Sequence, residues 1–255
     1  MAGMMAFAVL YFFDGFLPDS PIYFFPEGDL LIETTSCIGK GDNRFFRQPW
    51  NAYSSIAFFI SAMVVFYVYL DDRKNRGSKI NYWRESPAIS LFLCLFLFTL
   101  FLGSTVYHIT LSGTHYAWDL TGVFLMSLFP VVYQIIRRLP SSFLIPSMIL
   151  TFIASVFLAF QVGNGDSDYY LFAFLTINSV LTILNYYTLV KAADLRYLLL
   201  FVVCGTLAFS SIYVDIHFCE HLGDVGGHAF WHVFAAASFV FLHLYLRSEI
   251  EIENS

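Results

Sequence analysis

Three short stretches carry side chains that could do chemistry together. Ser104-Thr-Val-Tyr-His108 sets a hydroxyl and an imidazole four residues apart, Trp118-Asp119-Leu120 holds a carboxylate in apolar surroundings, and His228-Ala-Phe-Trp-His232 repeats the spacing with two imidazoles. Residues i and i+4 share a helix face, so His228 and His232 can reach one metal ion together, as paired histidine ligands on a helix do. With His108 as the third ligand, the fourth position of a tetrahedral Zn2+ stays open, the layout of a catalytic rather than a structural site. Zinc lowers the pKa of a bound water to about 7. Asp119 would hold and deprotonate that water, or orient a ligand imidazole from behind. Ser104 would donate a hydrogen bond to the oxyanion formed at an attacked carbonyl.

These residues matter jointly only if the chain brings them to one place. Only 13% of the 255 residues are charged, against about 25% in a soluble domain. The surplus apolar surface must therefore face lipid, and ionisable groups inside membrane helices are costly enough to be functional by default. A spanning helix needs about 20 mostly apolar residues. Segments near Trp50–Leu70, Pro87–Ile109, Tyr116–Ile136, Phe143–Phe160, Tyr169–Val190, Arg196–Val214 and Gly226–Leu246 meet that requirement. The expected fold is an all-α integral membrane protein, a bundle of seven transmembrane helices spanning 50–246. A tail of 1–49 with an interfacial segment (Met4–Phe16, interrupted by Asp14) precedes it, and a tail of 247–255 follows.

Alternating helix direction places Lys40, Arg44 and Arg47 on one side of the membrane and the other ten of the thirteen Lys and Arg residues on the opposite side. Basic residues favour the cytoplasm, so the N-terminus is expected to be lumenal or extracellular and the C-terminus cytosolic. His108 then ends the second helix, Asp119 begins the third, and His228 and His232 open the seventh, all at the non-cytoplasmic face. A single histidine at a helix end is more simply an interfacial residue meeting water; the conjunction at one depth is what points to a metal. Cys37 and Cys219 fall on the same side, where an oxidising compartment permits a disulfide, whereas Cys94 and Cys204 read as packing residues within helices. His217 and His221, in the acidic stretch Asp215–Asp224, read as solvated loop residues, as does His115. His243 lies eleven residues beyond His232, about 16 Å along a helix, too far to share a metal. The net charge of −6 and the lack of a basic patch exclude a nucleic-acid partner.

Seven helices with SxxxH, an aspartate in the third helix and a final HxxxH resemble the alkaline ceramidase family, within a superfamily of membrane hydrolases that also holds progestin/adiponectin receptors and Per1-like GPI-remodelling proteins. The resemblance runs from Gln48 to Leu246, with QPWNAYSSIAFF at 48–59, GSTVYHIT at 103–110 and GHAFWHVFAA at 227–236 as its closest stretches. WNAYSS is similar to the WNTxSN sequence that opens the first helix of ceramidases. The resemblance implies a zinc-dependent amide hydrolase that splits a ceramide-like membrane lipid into a sphingoid base and a fatty acid. Zn2+ would sit on His108, His228 and His232, with Ser104 and Asp119 beside the water, in an ER or Golgi membrane. It also implies a calcium site in the tail, formed by a DWCEEN-like sequence and an acid two residues before the tryptophan. Here that stretch reads Thr35-Ser36-Cys37-Ile38-Gly39-Lys40, Gln48 replaces the acid, and Glu33 and Asp42 are out of register, so no calcium site is expected. Two other functions use the same residues: an ester-lipid or GPI-lipid remodelling hydrolase, and a receptor-like protein whose zinc is structural.

Overall fold

The computed structural model describes residues 48–74, 82–162, 167–222 and 226–251. Cys37, Glu33, Asp42 and the rest of the tail through Arg47 lie outside the described residues, as do the side chains of His217, Cys219 and His221. The disulfide candidate Cys37–Cys219 therefore falls outside them too.

The apolar runs fold as helices because lipid satisfies no backbone polar group, and a helix satisfies its own. In chain order these are α1 (Pro49–Ser54), α2 (Ile56–Lys74), the single turn α3 (Tyr82–Glu85), α4 (Ala88–Thr110) and α5 (Gly113–Ile136). A 3₁₀ turn (Ser141–Phe143) leads into α6 (Leu144–Val162), followed by α7 (Ser167–Leu189), α8 (Leu195–Leu222) and α9 (Gly226–Ser248). Ser55 joins α1 to α2 with near-helical angles. Among the described residues, six stretches are long and apolar enough to cross a bilayer: Pro49–Lys74, Ala88–Thr110, Thr114–Ile136, Ser141–Gln161, Leu195–Asp215 and Gly226–Ser248. The protein is thus an all-α integral membrane protein. A further 23-residue helix, α7, covers the segment expected at Tyr169–Val190 and turns Asn178 and Asn185 inward.

Burial separates inner helices from outer ones. The most apolar window of the α5 span is 72% buried, whereas that of the α8 span is 6% buried and presents side chains such as Leu199, Val202 and Phe209 outward. Helices α4, α5 and α9 are the most buried spans; α4 packs on α5 and α2, and α9 packs on α8 and α2. Their shared core includes Phe58, Leu97, Leu100, Leu125, Phe129 and Leu246. Two glycines let α4 and α5 touch backbone to backbone. A Cβ on Gly103 would lie 2.6 Å from the Trp118 carbonyl oxygen, and one on Gly122 would lie 2.5 Å from Leu100 Cα.

Two expectations are corrected. The stretch from Asp215 is not a loop: α8 runs on to Leu222 through a break at Phe218 (φ −128°, ψ 21°), so His217 and His221 lie on helical backbone. His115 likewise lies in the first turn of α5 and not in a loop. Arg247 and Ser248 complete α9, and β2 (Ile250–Glu251) pairs antiparallel with β1 (Val190–Ala192), a small exception to the all-helical reading. Beneath this pair, at the end of the bundle away from the histidines, Arg137 Nη1 meets Glu249 Oε2 at 2.7 Å with both side chains buried. Arg247 binds Asp72 through Nε (2.9 Å) and Nη2 (2.7 Å), and Asn185 Nδ2 donates to Gln134 Oε1 at 2.6 Å.

Candidate metal centre

At the opposite end, the last turn of α4 meets the first turns of α1, α5 and α9. The chain leaves α4 abruptly because Leu111 takes a left-handed conformation (φ 53°), an uncommon choice for a side chain of this kind, and its N–H donates to the Tyr107 carbonyl. Ser112 then caps α5 by accepting from the His115 N–H. Two residues thus separate His108's helix from the one carrying Asp119. The start of α9 is fixed differently. Gly226 has φ 63°, a region open to glycine. A Cβ on Gly227 would fall 2.1 Å from the Ser211 carbonyl oxygen, so α9 begins directly against α8. The carboxylate of Asp215 on α8 accepts from the Gly227 N–H at 2.5 Å, a favourable place for negative charge at a helix N-terminus. This holds the turn that carries His228.

These constraints bring His108, His228 and His232 together, with one ligand atom from each imidazole lying within 4.8 Å of the others. Ring centroids are 5.0 Å apart for His108–His228, 5.1 Å for His108–His232 and 4.8 Å for His228–His232. His108 and His232 are fully buried. Nε2 of His108 and Nε2 of His228 are buried without a hydrogen-bond partner. Unmet polar atoms in a buried site are costly, and two imidazole nitrogens left so beside a third ring are the donor set that a cation satisfies. The residues fit a metal ion.

The hydrogen bonds behind the rings assign their protons. Nδ1 of His108 is 2.5 Å from Gln48 Oε1, an oxygen that can only accept, so the proton is on Nδ1 and Nε2 offers a lone pair. His232 Nδ1 lies 2.7 Å from Ser54 Oγ, which is also 3.0 Å from the Asn51 carbonyl; with the hydroxyl proton on that carbonyl, His232 donates through Nδ1 as well. Its Nε2 is 3.3 Å from Ser104 Oγ, which in turn is 3.1 Å from Ser55 Oγ.

Ser104 is thus fully buried beside a candidate ligand. Asp119 is also buried and is not one of the clustered metal-binding groups. Its backbone nitrogen lies 3.0 Å from the Cβ position of Gly103, the residue before Ser104, so the close α4–α5 approach keeps the carboxylate's segment next to the serine. His115 stays apart, bonded to Thr110 and Ser112. His243 is buried against Trp83 near the far end of α9.

Sequence reasoning gave no role to Gln48, Asn51, Ser54 or Ser55. Their signal is a polar stripe at i, i+3, i+6 and i+7 where an apolar helix begins.

A family model described as Ceramidase matches residues 45–254. Comparisons with curated proteins and with solved structures gave no match. The matched region takes in the described helices and the whole histidine cluster, and the chain belongs to the ceramidase family.

Proposed function

We propose that this ceramidase-family chain is a zinc-dependent hydrolase that cleaves the amide bond of ceramide-like membrane lipids, releasing a sphingoid base and a fatty acid. The observation that carries the reading is the pair of buried, unpartnered Nε2 atoms of His108 and His228 in one cluster with His232, inside a chain of this family.

In this mechanism His108, His228 and His232 hold the ion through one nitrogen each. Zinc bound there supplies Lewis-acid polarisation of a carbonyl and a nucleophile at neutral pH. The Ser104 hydroxyl, 3.3 Å from His232 Nε2, turns to the amide carbonyl oxygen and donates to it as negative charge develops, stabilisation that is strong where water is excluded. Asp119 takes up the proton released as the nucleophile adds and returns it to the departing amine nitrogen, the dual role of a general base and acid.

The architecture proposed for this chemistry is a seven-helix domain over 50–246, with α7 as a spanning helix. The tail 1–49 lies on the non-cytoplasmic side and residues 247–255 in the cytosol, in an ER or Golgi membrane. A Cys37–Cys219 disulfide would pin that tail over the histidine end, and no calcium site is proposed in it. Supporting the orientation is the charge split of three basic residues against ten.

The test is zinc content together with product analysis on matched ceramide and ester-lipid substrates, for purified wild type and His232→Ala. About one zinc per chain, with metal and amide hydrolysis both lost in the variant, is the expected result. Zinc with ester cleavage alone would make the protein an ester-lipid hydrolase, and zinc without any turnover a receptor-like protein. A wild type that takes up no zinc would overturn the reading.

A further inference from the structure

Helix packing brings the three histidines together, yet two of them owe their ring orientation to a segment that supplies no ligand. We propose that the turn Gln48–Ser55 is a positioning element for the metal, in which Gln48 and Ser54 fix the tautomer and ring plane of His108 and His232. This rests on the metal reading above.

Gln48 holds His108 at two points. Its backbone N–H donates to the His108 carbonyl at 2.9 Å, and its side-chain Oε1 accepts from His108 Nδ1 at 2.5 Å. The first contact fixes the turn of α4, and the second fixes the imidazole on it. Ser54 does for His232 what Gln48 does for His108, by other means. A hydroxyl can donate or accept; with its proton on the Asn51 carbonyl 3.0 Å away, its oxygen accepts from His232 Nδ1. Asn51 links the two, because its Nδ2 donates to Gln48 Oε1 at 3.3 Å while its carbonyl receives Ser54. Asn51 is fully buried and Gln48 nearly so, and thus one short turn commits two ligands to Nε2 before any ion arrives. Groups behind a metal-bound imidazole set its tautomer and orientation, and losing one typically costs about 10- to 100-fold in metal affinity. Both acceptors here are neutral. They aim the lone pairs without placing a further charge in a buried site, which would be expensive unless it were paired.

The experiment measures the rate at which zinc-loaded, full-length protein in detergent gives up zinc to excess chelator, with the melting temperature of the metal-free protein as a control. Gln48→Met keeps the length of the side chain and removes the acceptor. It should lose zinc about 10- to 100-fold faster than wild type, while the metal-free protein still melts in one cooperative transition. Gln48→Glu, which keeps an acceptor oxygen, should retain zinc like wild type. Ser54→Ala should release faster and Ser54→Thr should restore retention. If Gln48→Met releases zinc at the wild-type rate, this proposal fails and the metal reading stands. If Gln48→Glu is as leaky as Gln48→Met, the residue acts by packing and the proposal also fails. A wild type that binds no zinc overturns the metal reading and this proposal with it.

Discussion

The two ends of the bundle handle buried polar groups in opposite ways. At the strand-pair end, charges meet charges: Arg137 faces Glu249 at 2.7 Å, and Arg247 grips Asp72 through two nitrogens. At the other end, three imidazoles face one another, and the contacts behind two of them are a neutral amide and a hydroxyl. An ion pair is complete as the chain folds, whereas a ring of inward lone pairs is completed by something that arrives later. On the proposed function the first end serves stability and the second binding, and substitutions at the two ends should separate these properties.

The largest effect is expected from His228→Ala, which removes a ligand from the cluster. Hydrolysis should fall to background and zinc should drop below one per chain, with the helical circular dichroism signal retained. Next, Ser104→Ala should lower kcat by about 10²–10³, the usual cost of losing one oxyanion donor, at unchanged zinc content. At the other end, Arg137→Met takes the cation away from buried Glu249 and should cost about 3–5 kcal/mol of stability, read as a lower melting temperature in detergent. The double variant with Glu249→Met should recover most of that loss, since apolar replacement of a whole buried pair is often neutral. Activity per folded molecule should stay near wild type in both, and if it fell as far as in Ser104→Ala the two ends would not be separable. The smallest effect falls between the ends. Gly103→Ala puts a methyl 2.6 Å from the Trp118 carbonyl and should cost about 1–3 kcal/mol by overpacking. It should also lower kcat, because α4 and α5 must part beside Asp119.

The helices and the histidine constellation were legible because they rest on local rules. Uninterrupted apolar runs mark spans, i, i+4 spacing marks a shared face, and alternating helix direction sorts the ends. The contacts that orient the ligands were not, because they join residues far apart in the chain. Gln48 meets His108 across 60 positions and Ser54 meets His232 across 178. Asp215 was misread because acid followed by glycines is the usual signature of a loop, although here the acid caps the next helix from its neighbour. Arg137 was counted as one of the basic residues of a membrane face, a reading that says nothing of Glu249. Segments of two or three residues such as β1 and β2 carry no periodicity to read.

The contact between Asp215 and Gly227 also has a mechanical side. Helix α8 turns almost all of its apolar span outward, yet it grips the first turn of the helix that bears two of the three imidazoles. A spanning helix answers a change in bilayer thickness by tilting, and a tilt of α8 loads its end at that grip. The lipid around the protein would therefore load the histidine cluster. Turnover measured in bilayers of graded acyl length should pass through a maximum where α8 stands unstrained.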